Sequence, residues 1–193
     1  HPRMMAREIS QVMAGVRYEL ELAQAALIGG HTAEGETLGI GLACNGLVDP
    51  DKMWRKGGLE EGDVLILTKP LGVAMIFAAQ MRGKCSGASV EAAIESMLLS
   101  NRLAVEALEG IHVKSATDIT GFGLAGHLLE MASSTKADFS IDTQSLPILA
   151  GVEEANAANI QSSLAPENER FQSDMTFIKK VDSRIYFDPQ TSG

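Results

Sequence analysis

The sequence predicts an α+β fold, because strand-like and helical stretches alternate along it without the strict spacing of repeated β-α-β units. Short apolar runs bounded by Gly, Pro and Asp mark strands, and three- and four-residue apolar steps between them mark helices. The composition agrees: of 193 residues 45% are hydrophobic and 21% charged, while aromatics are scarce at 5% and glycines number 19. Small residues and backbone turns therefore carry more of the architecture than aromatic packing does.

Taken in order, residues from about Arg7 to Ile28 read as one long helix. Ile9, Val12, Met13, Val16, Leu20 and Ala23 form its apolar stripe, and Gly29-Gly30 is the expected stop. Thr37 to Val48 reads as a strand containing Cys44 as a small core residue, and Asp49-Pro50-Asp51 breaks the pattern as a domain boundary. Val64 to Leu67 reads as a buried strand that leaves through Pro70 and Gly72 into a helix around Val73–Met81. Gly83 to Gly87 reads as a mobile loop. Ser89 then caps a helix from Val90 to Leu108. A strand near Val113–Ala116, a helix of about Phe122–Ser133, a strand at Ala137–Ile141 and a closing strand at Ile185-Tyr186-Phe187 complete the reading, with a polar, weakly patterned stretch over Gln161 to Asp174.

A net charge of −9 argues against a nucleic-acid or anionic-membrane surface, since phosphate contact needs clustered Lys and Arg. No apolar run approaches the roughly 18 residues that a membrane span requires. Cys44 and Cys85 stand far apart, outside any CxxC pair, so neither a zinc site nor a disulfide framework is expected; a reducing cytoplasm fits. Beginning at His1 rather than Met and stopping at Gly193 within a turn, the chain reads as a stretch of a longer protein.

Three stretches carry candidate chemistry. In Ala116-Thr117-Asp118-Ile119-Thr120-Gly121-Phe122-Gly123-Leu124, two glycines stand at a helix start, where each costs about 0.8–1.0 kcal/mol relative to Ala. That choice fits a backbone that something approaches closely, and Asp118 offers an oxygen to magnesium. The plainer reading is that Asp118 and Thr120 cap the helix while the glycines permit tight packing. Gly29-Gly30-His31-Thr32 suits either nucleotide contact or a simple helix end. Lys69, in Thr68-Lys69-Pro70-Leu71-Gly72, is either a point charge for phosphate or a solvated lysine at a turn. His127 reads by default as a satisfied or surface histidine. No Walker A loop, no GxGxxG and no Ser-His-Asp arrangement is evident.

Together with Ala125-Gly126-His127-Leu128-Leu129-Glu130-Met131 and the closing Phe187-Asp188-Pro189-Gln190-Thr191-Ser192-Gly193, these stretches resemble selenophosphate synthetase (selenide, water dikinase), in order from about Ala14 to Gly193. The resemblance implies a two-domain fold of the aminoimidazole-ribonucleotide-synthetase type. Residues 1–49 would be the tail of an N-terminal ATP-binding and dimerisation domain, and 50–193 a layered C-terminal α+β domain truncated at its end. It further implies a homodimer using ATP and Mg2+ to convert selenide, ATP and water to selenophosphate, AMP and phosphate. Gly29, Gly30 and His31 would contact ATP bound by the partner subunit, and Asp118 would bind magnesium. The family's reactive Cys or Sec and its lysine lie upstream; neither Cys44 nor Cys85 takes that place. No catalytic residue is thus expected within these residues, and the stretch alone is expected to be inactive. The rivals are another ATP-dependent enzyme on the same scaffold and a non-catalytic dimerisation or regulatory module.

Overall fold

The computed structural model describes residues 2–135, 137–176, 184–191 and 193. The chain divides into two compact units, one up to Val48 and one from Asp49 on.

In the first unit, helix α1 runs Pro2–Leu22, with Ile9, Met13, Val16 and Leu20 as a half-buried stripe. It stops before the glycines that the sequence suggested. Gln24 adopts a left-handed φ of 53°, the Ala25 N–H donates to the Leu20 carbonyl at 2.8 Å, and the Gln24 N–H donates to Glu21 at 3.1 Å. This paired closure satisfies two end carbonyls and offsets the cost of a non-glycine in that conformation. Beyond it, residues 25–48 form neither helix nor ladder. Leu38, Ile40 and Leu42 are exposed, as is Cys44, so the expected strand and its core cysteine are both corrected.

The second unit opens on a 3-10 turn, Pro50–Lys52, where Asp49 accepts the Asp51 N–H. Two isolated parallel bridges tie extended segments together, Arg55 with Ser115 and Leu71 with Ile148. The expected strand at Val64–Leu67 is not buried: Val64 and Ile66 are 84% and 67% exposed. The segments 113–116 and 137–141 likewise form no strand ladder beyond the Ser115 bridge. Apolar alternation reports fitness for a pleated surface, whereas a ladder also needs a neighbour to pair every second N–H and C=O. Among the described residues those neighbours are supplied only at the two bridges.

Helix α2, Val73–Met81, is apolar almost all round and buries Val73, Met75, Ile76, Ala78 and Ala79, although Met81 is exposed. Helix α3, Gly87–Leu98, begins at Gly87, and its cap is Ser86 rather than Ser89: the Ser86 hydroxyl accepts the Ser89 N–H at 3.1 Å. The long helix expected to Leu108 breaks at Leu99. Ser100 Oγ accepts the Arg102 N–H at 3.2 Å, and α4, Arg102–Ala107, starts there, a competition with the helix ladder that a serine readily wins.

Helices α5, Gly123–Thr135, α6, Val152–Ala157, α7, Ala165–Asn168, and α8, Arg184–Phe187, follow. The last replaces the strand expected at Ile185–Phe187, because a short apolar run does not distinguish a buried strand from a buried helical turn. Helix α2 packs on α3 and α6, and α5 on α8. Leu71, Met75, Ile76, Val152 and Phe187 have essentially no solvent exposure, and each such side chain contributes about 1.5–3 kcal/mol. No described helix is long and apolar enough to cross a membrane.

Candidate functional site

The loop before α5 is held on both sides of Asp118. Upstream, the Ala116 N–H donates to the Arg55 carbonyl at 2.9 Å, and Ser115 Oγ donates to the Lys56 carbonyl at 2.6 Å. Downstream, the Ile119 N–H donates to the Gly193 carbonyl at 3.2 Å, and the Thr120 carbonyl accepts the N–H groups of Gly123 at 3.1 Å and Gln190 at 3.0 Å. Buried Asn168 donates to the carbonyls of Gly121 and Phe187. Between these anchors Asp118 is exposed, and its carboxylate has no hydrogen-bond or ion-pair partner among the described residues.

The glycines of this loop do different work. Gly123 has φ +66°, and a Cβ there would lie 2.8 Å from the Tyr186 carbonyl oxygen and 3.0 Å from that of Asp188. What approaches its backbone is the chain's own closing segment, so at this position the close-packing alternative holds. A Cβ on Gly126 would meet Phe122 at 2.5 Å and Phe171 at 2.8 Å, in a cluster where the Arg170 guanidinium stacks 4.9 Å from the Phe171 ring centre. Gly121, by contrast, has nothing within 4 Å of a Cβ and stays open to a ligand.

His127, four residues into α5, is buried and turns back to the loop. The Thr120 N–H donates to its Nε2 at 3.1 Å, which leaves that nitrogen unprotonated. The proton therefore sits on Nδ1, 3.2 Å from Glu130 Oε2. Glu130 in turn takes 2.6 Å from Lys56 Nζ. The Lys56 ammonium holds the Glu130 carboxyl below its usual range, against partial burial that pushes it up. Among the described residues the Thr120 hydroxyl accepts no N–H from the first turn of α5; it faces His127 Nε2 at 3.3 Å instead. His127 and Glu130 stood three residues apart within the stretch that carries the resemblance, though nothing there signalled their pairing, and Lys56 had no signal.

The closing motif serves the start of α2. Gln190 Oε1 accepts the N–H groups of Gly72 at 3.1 Å and Val73 at 3.2 Å. The Pro189 carbonyl accepts that of Ala74 at 3.3 Å, and Asp188 Oδ2 that of Met75 at 3.1 Å. One segment thus satisfies the whole first turn, with a carboxylate at the positive end of the helix. Asp188 is fully buried, its Oδ1 lacks a partner among the described residues, and burial raises its pKa from 3.8 to about 6 despite those donors. Lys69 is buried too, correcting the solvated alternative, and desolvation lowers its pKa. Ser192 lies outside the described residues.

A pH test follows. Between 3.8 and about 6 the folded carboxyl keeps a proton that the unfolded chain has lost, so this stabilisation is complete at low pH and disappears as pH rises through the folded value. Asp188→Asn retains an acceptor for Met75 and removes the titration. Urea denaturation should show the variant gaining roughly 3 kcal/mol relative to the parent between pH 3.5 and 7. Glu130, whose effect has the opposite sign, is common to both proteins and cancels.

Gly29, Gly30 and His31 belong to the first unit. They lie in the irregular segment after α1, exposed, with nothing within 4 Å of a Cβ on either glycine. No group of three or more His, Cys, Asp or Glu side chains stands together among the described residues. Magnesium does not need one: it commonly takes one or two carboxylates, completing its shell with water and substrate phosphate. An exposed, unpartnered Asp118 fits that donor set.

Comparison with known proteins adds a family. The family described as "AIR synthase related protein, C-terminal domain" matches residues 60–170. Relatives named selenide, water dikinase come from Caldanaerobacter subterraneus subsp. tengcongensis, 35% identical over 188 residues that make up 96% of this chain and 55% of the relative, and from Clostridioides difficile, 32% identical over 96% of the chain and 54% of the relative. One from Peptoclostridium acidaminophilum, named selenide, water dikinase 2, is 34% identical over 96% and 54%. The chain spans about half the length of these relatives.

Proposed function

The chain belongs to the AIR synthase related family by its C-terminal domain, an α+β fold, and from that premise we propose that it forms part of a selenide, water dikinase. The full-length gene product then converts selenide, ATP and water to selenophosphate, AMP and phosphate. The observation that carries this reading is the likeness, along 96% of the chain, to proteins bearing that name.

In this reading residues 1–49 are the tail of an ATP-binding and dimerisation domain, and 50–193 are most of the C-terminal α+β domain. Asp118 is the magnesium ligand on this chain. Bound there, the ion would neutralise triphosphate charge. The residues themselves bind and orient: Asp118 supplies one anionic oxygen, its loop is held at Ala116, Ile119 and Thr120, and Gly121 leaves the backbone uncovered. Gly29 and Gly30 present bare backbone, and His31 a ring nitrogen, to ATP held by the partner of a homodimer. The reactive Cys or Sec lies outside these residues, and the enzyme is cytoplasmic.

The test is ATP turnover by the full-length gene product, with AMP, orthophosphate and selenophosphate followed by phosphorus NMR. Selenide-dependent formation of all three is expected. ATP turnover that requires formate or an amide instead overturns the reading in favour of another enzyme on this scaffold. The isolated 193-residue chain is expected to form no AMP from ATP and selenide.

A further inference from the structure

The side chains around the Asp118 loop close a circuit that the proposed chemistry does not by itself require. Lys56 enters it twice. Its backbone carbonyl holds Ser115, three residues before Asp118, and its ammonium holds Glu130 at 2.6 Å. Glu130 accepts from His127 Nδ1, and His127 Nε2 accepts the Thr120 N–H, two residues after Asp118. The loop is thus gripped on either side by one connected set of groups, while Asp118 itself has no side-chain restraint. A buried polar ring with both nitrogens engaged is costly to leave half-satisfied. The tautomer matters as well, because only an unprotonated Nε2 can accept a backbone N–H. Phe122 flanks the ring at 5.8 Å between centres, tilted by 37°, and so limits its reorientation.

We infer that His127 is a positioning residue: by accepting the Thr120 amide it fixes the direction in which Asp118 presents its carboxylate, with Glu130 and Lys56 setting the ring's tautomer. This inference rests on the reading of Asp118 as a metal ligand. It assigns His127 no contact with substrate or ion. Its action resembles that of an outer-shell partner at a metal site, whose loss typically costs 10–100-fold in metal affinity or activity.

The experiment measures the Mg2+ concentration giving half-maximal turnover, together with kcat at saturating Mg2+, in the full-length gene product and in Asp118→Asn, His127→Leu and His127→Gln. His127→Leu, similar in bulk but without an acceptor, should raise the Mg2+ requirement about 10–100-fold and largely regain kcat at saturating Mg2+. His127→Gln, which keeps an acceptor near the Nε2 position, should recover much of the shift. If Asp118→Asn raises the requirement and His127→Leu does not, the positioning role is overturned while the metal reading stands. An unchanged requirement in Asp118→Asn overturns both. Should His127→Leu not fold, two measurements decide in its place. Glu130→Ala should shift the requirement in the same direction by a smaller factor. Nitrogen-15 NMR of ring-labelled histidine in the unmodified protein should show Nε2 of His127 unprotonated at neutral pH; a protonated Nε2, or no shift in Glu130→Ala, overturns the inference.

Discussion

Asp118→Asn in the full-length gene product is expected to lower selenide-dependent AMP formation by at least about 100-fold, since a direct ligand should cost no less than the outer-shell partners of metal sites do. Asparagine preserves the shape and one neutral oxygen but removes the charge that a hard divalent cation prefers. Because Asp118 is exposed and has no partner among the described residues, the substitution leaves no buried group unsatisfied, and thermal stability should stay within about 0.5 kcal/mol of the parent. Lost activity with retained stability separates a ligand from a cap. A capping aspartate would give the reverse, a loss of about 1 kcal/mol in stability with turnover preserved.

Gly123→Ala is expected to have the largest effect on folding. The new methyl group would stand 2.8 Å from the Tyr186 carbonyl oxygen and 3.0 Å from both the Asp188 carbonyl oxygen and the Phe187 carbonyl carbon. All three are backbone atoms, which cannot swing aside as a side chain can. The φ of +66° adds about 1–2 kcal/mol for a residue with a Cβ. With overpacking included, a loss of about 3 kcal/mol and a fall in Tm of roughly 10 °C are expected by calorimetry. Gly121→Ala, where nothing lies within 4 Å, should leave Tm unchanged. Any loss of turnover there would then report ligand approach to the backbone.

These two glycines show what was legible in the sequence and what was not. Their closeness at a helix start marked the loop as special, and α5 does begin beside it. The cause at Gly123 is a close approach by Tyr186–Asp188, more than sixty residues downstream, and no local pattern carries such a contact. The same holds for His127. Its helical position was readable, but its turn back onto the Thr120 N–H was not, and Lys56, which holds its partner Glu130, stands more than seventy residues away in the chain. Helix α2 was readable because Pro70 and Gly72 punctuate a uniformly apolar run. Its cap was hidden, because Asp188 and Gln190 reach it across more than a hundred residues.

The strand expectations went astray for a physical reason of another kind. Leu38, Ile40 and Leu42 alternate with Gly39 and Gly41 as a half-buried strand should, yet all three aliphatic side chains are exposed. Alternation fixes which face a segment offers, while pairing depends on a neighbour that the segment does not encode. Ile185-Tyr186-Phe187, expected as a strand, is buried on a helical turn instead.

Direct metal binding tests the account at its centre. Mn2+ added to the full-length gene product in the presence of a non-hydrolysable ATP analogue, followed by electron paramagnetic resonance, counts the bound ions and gives their affinity. Asp118→Asn is expected to lose one bound ion or to bind it at least about tenfold more weakly. Binding of the same number of ions with the same affinity in the variant would contradict it.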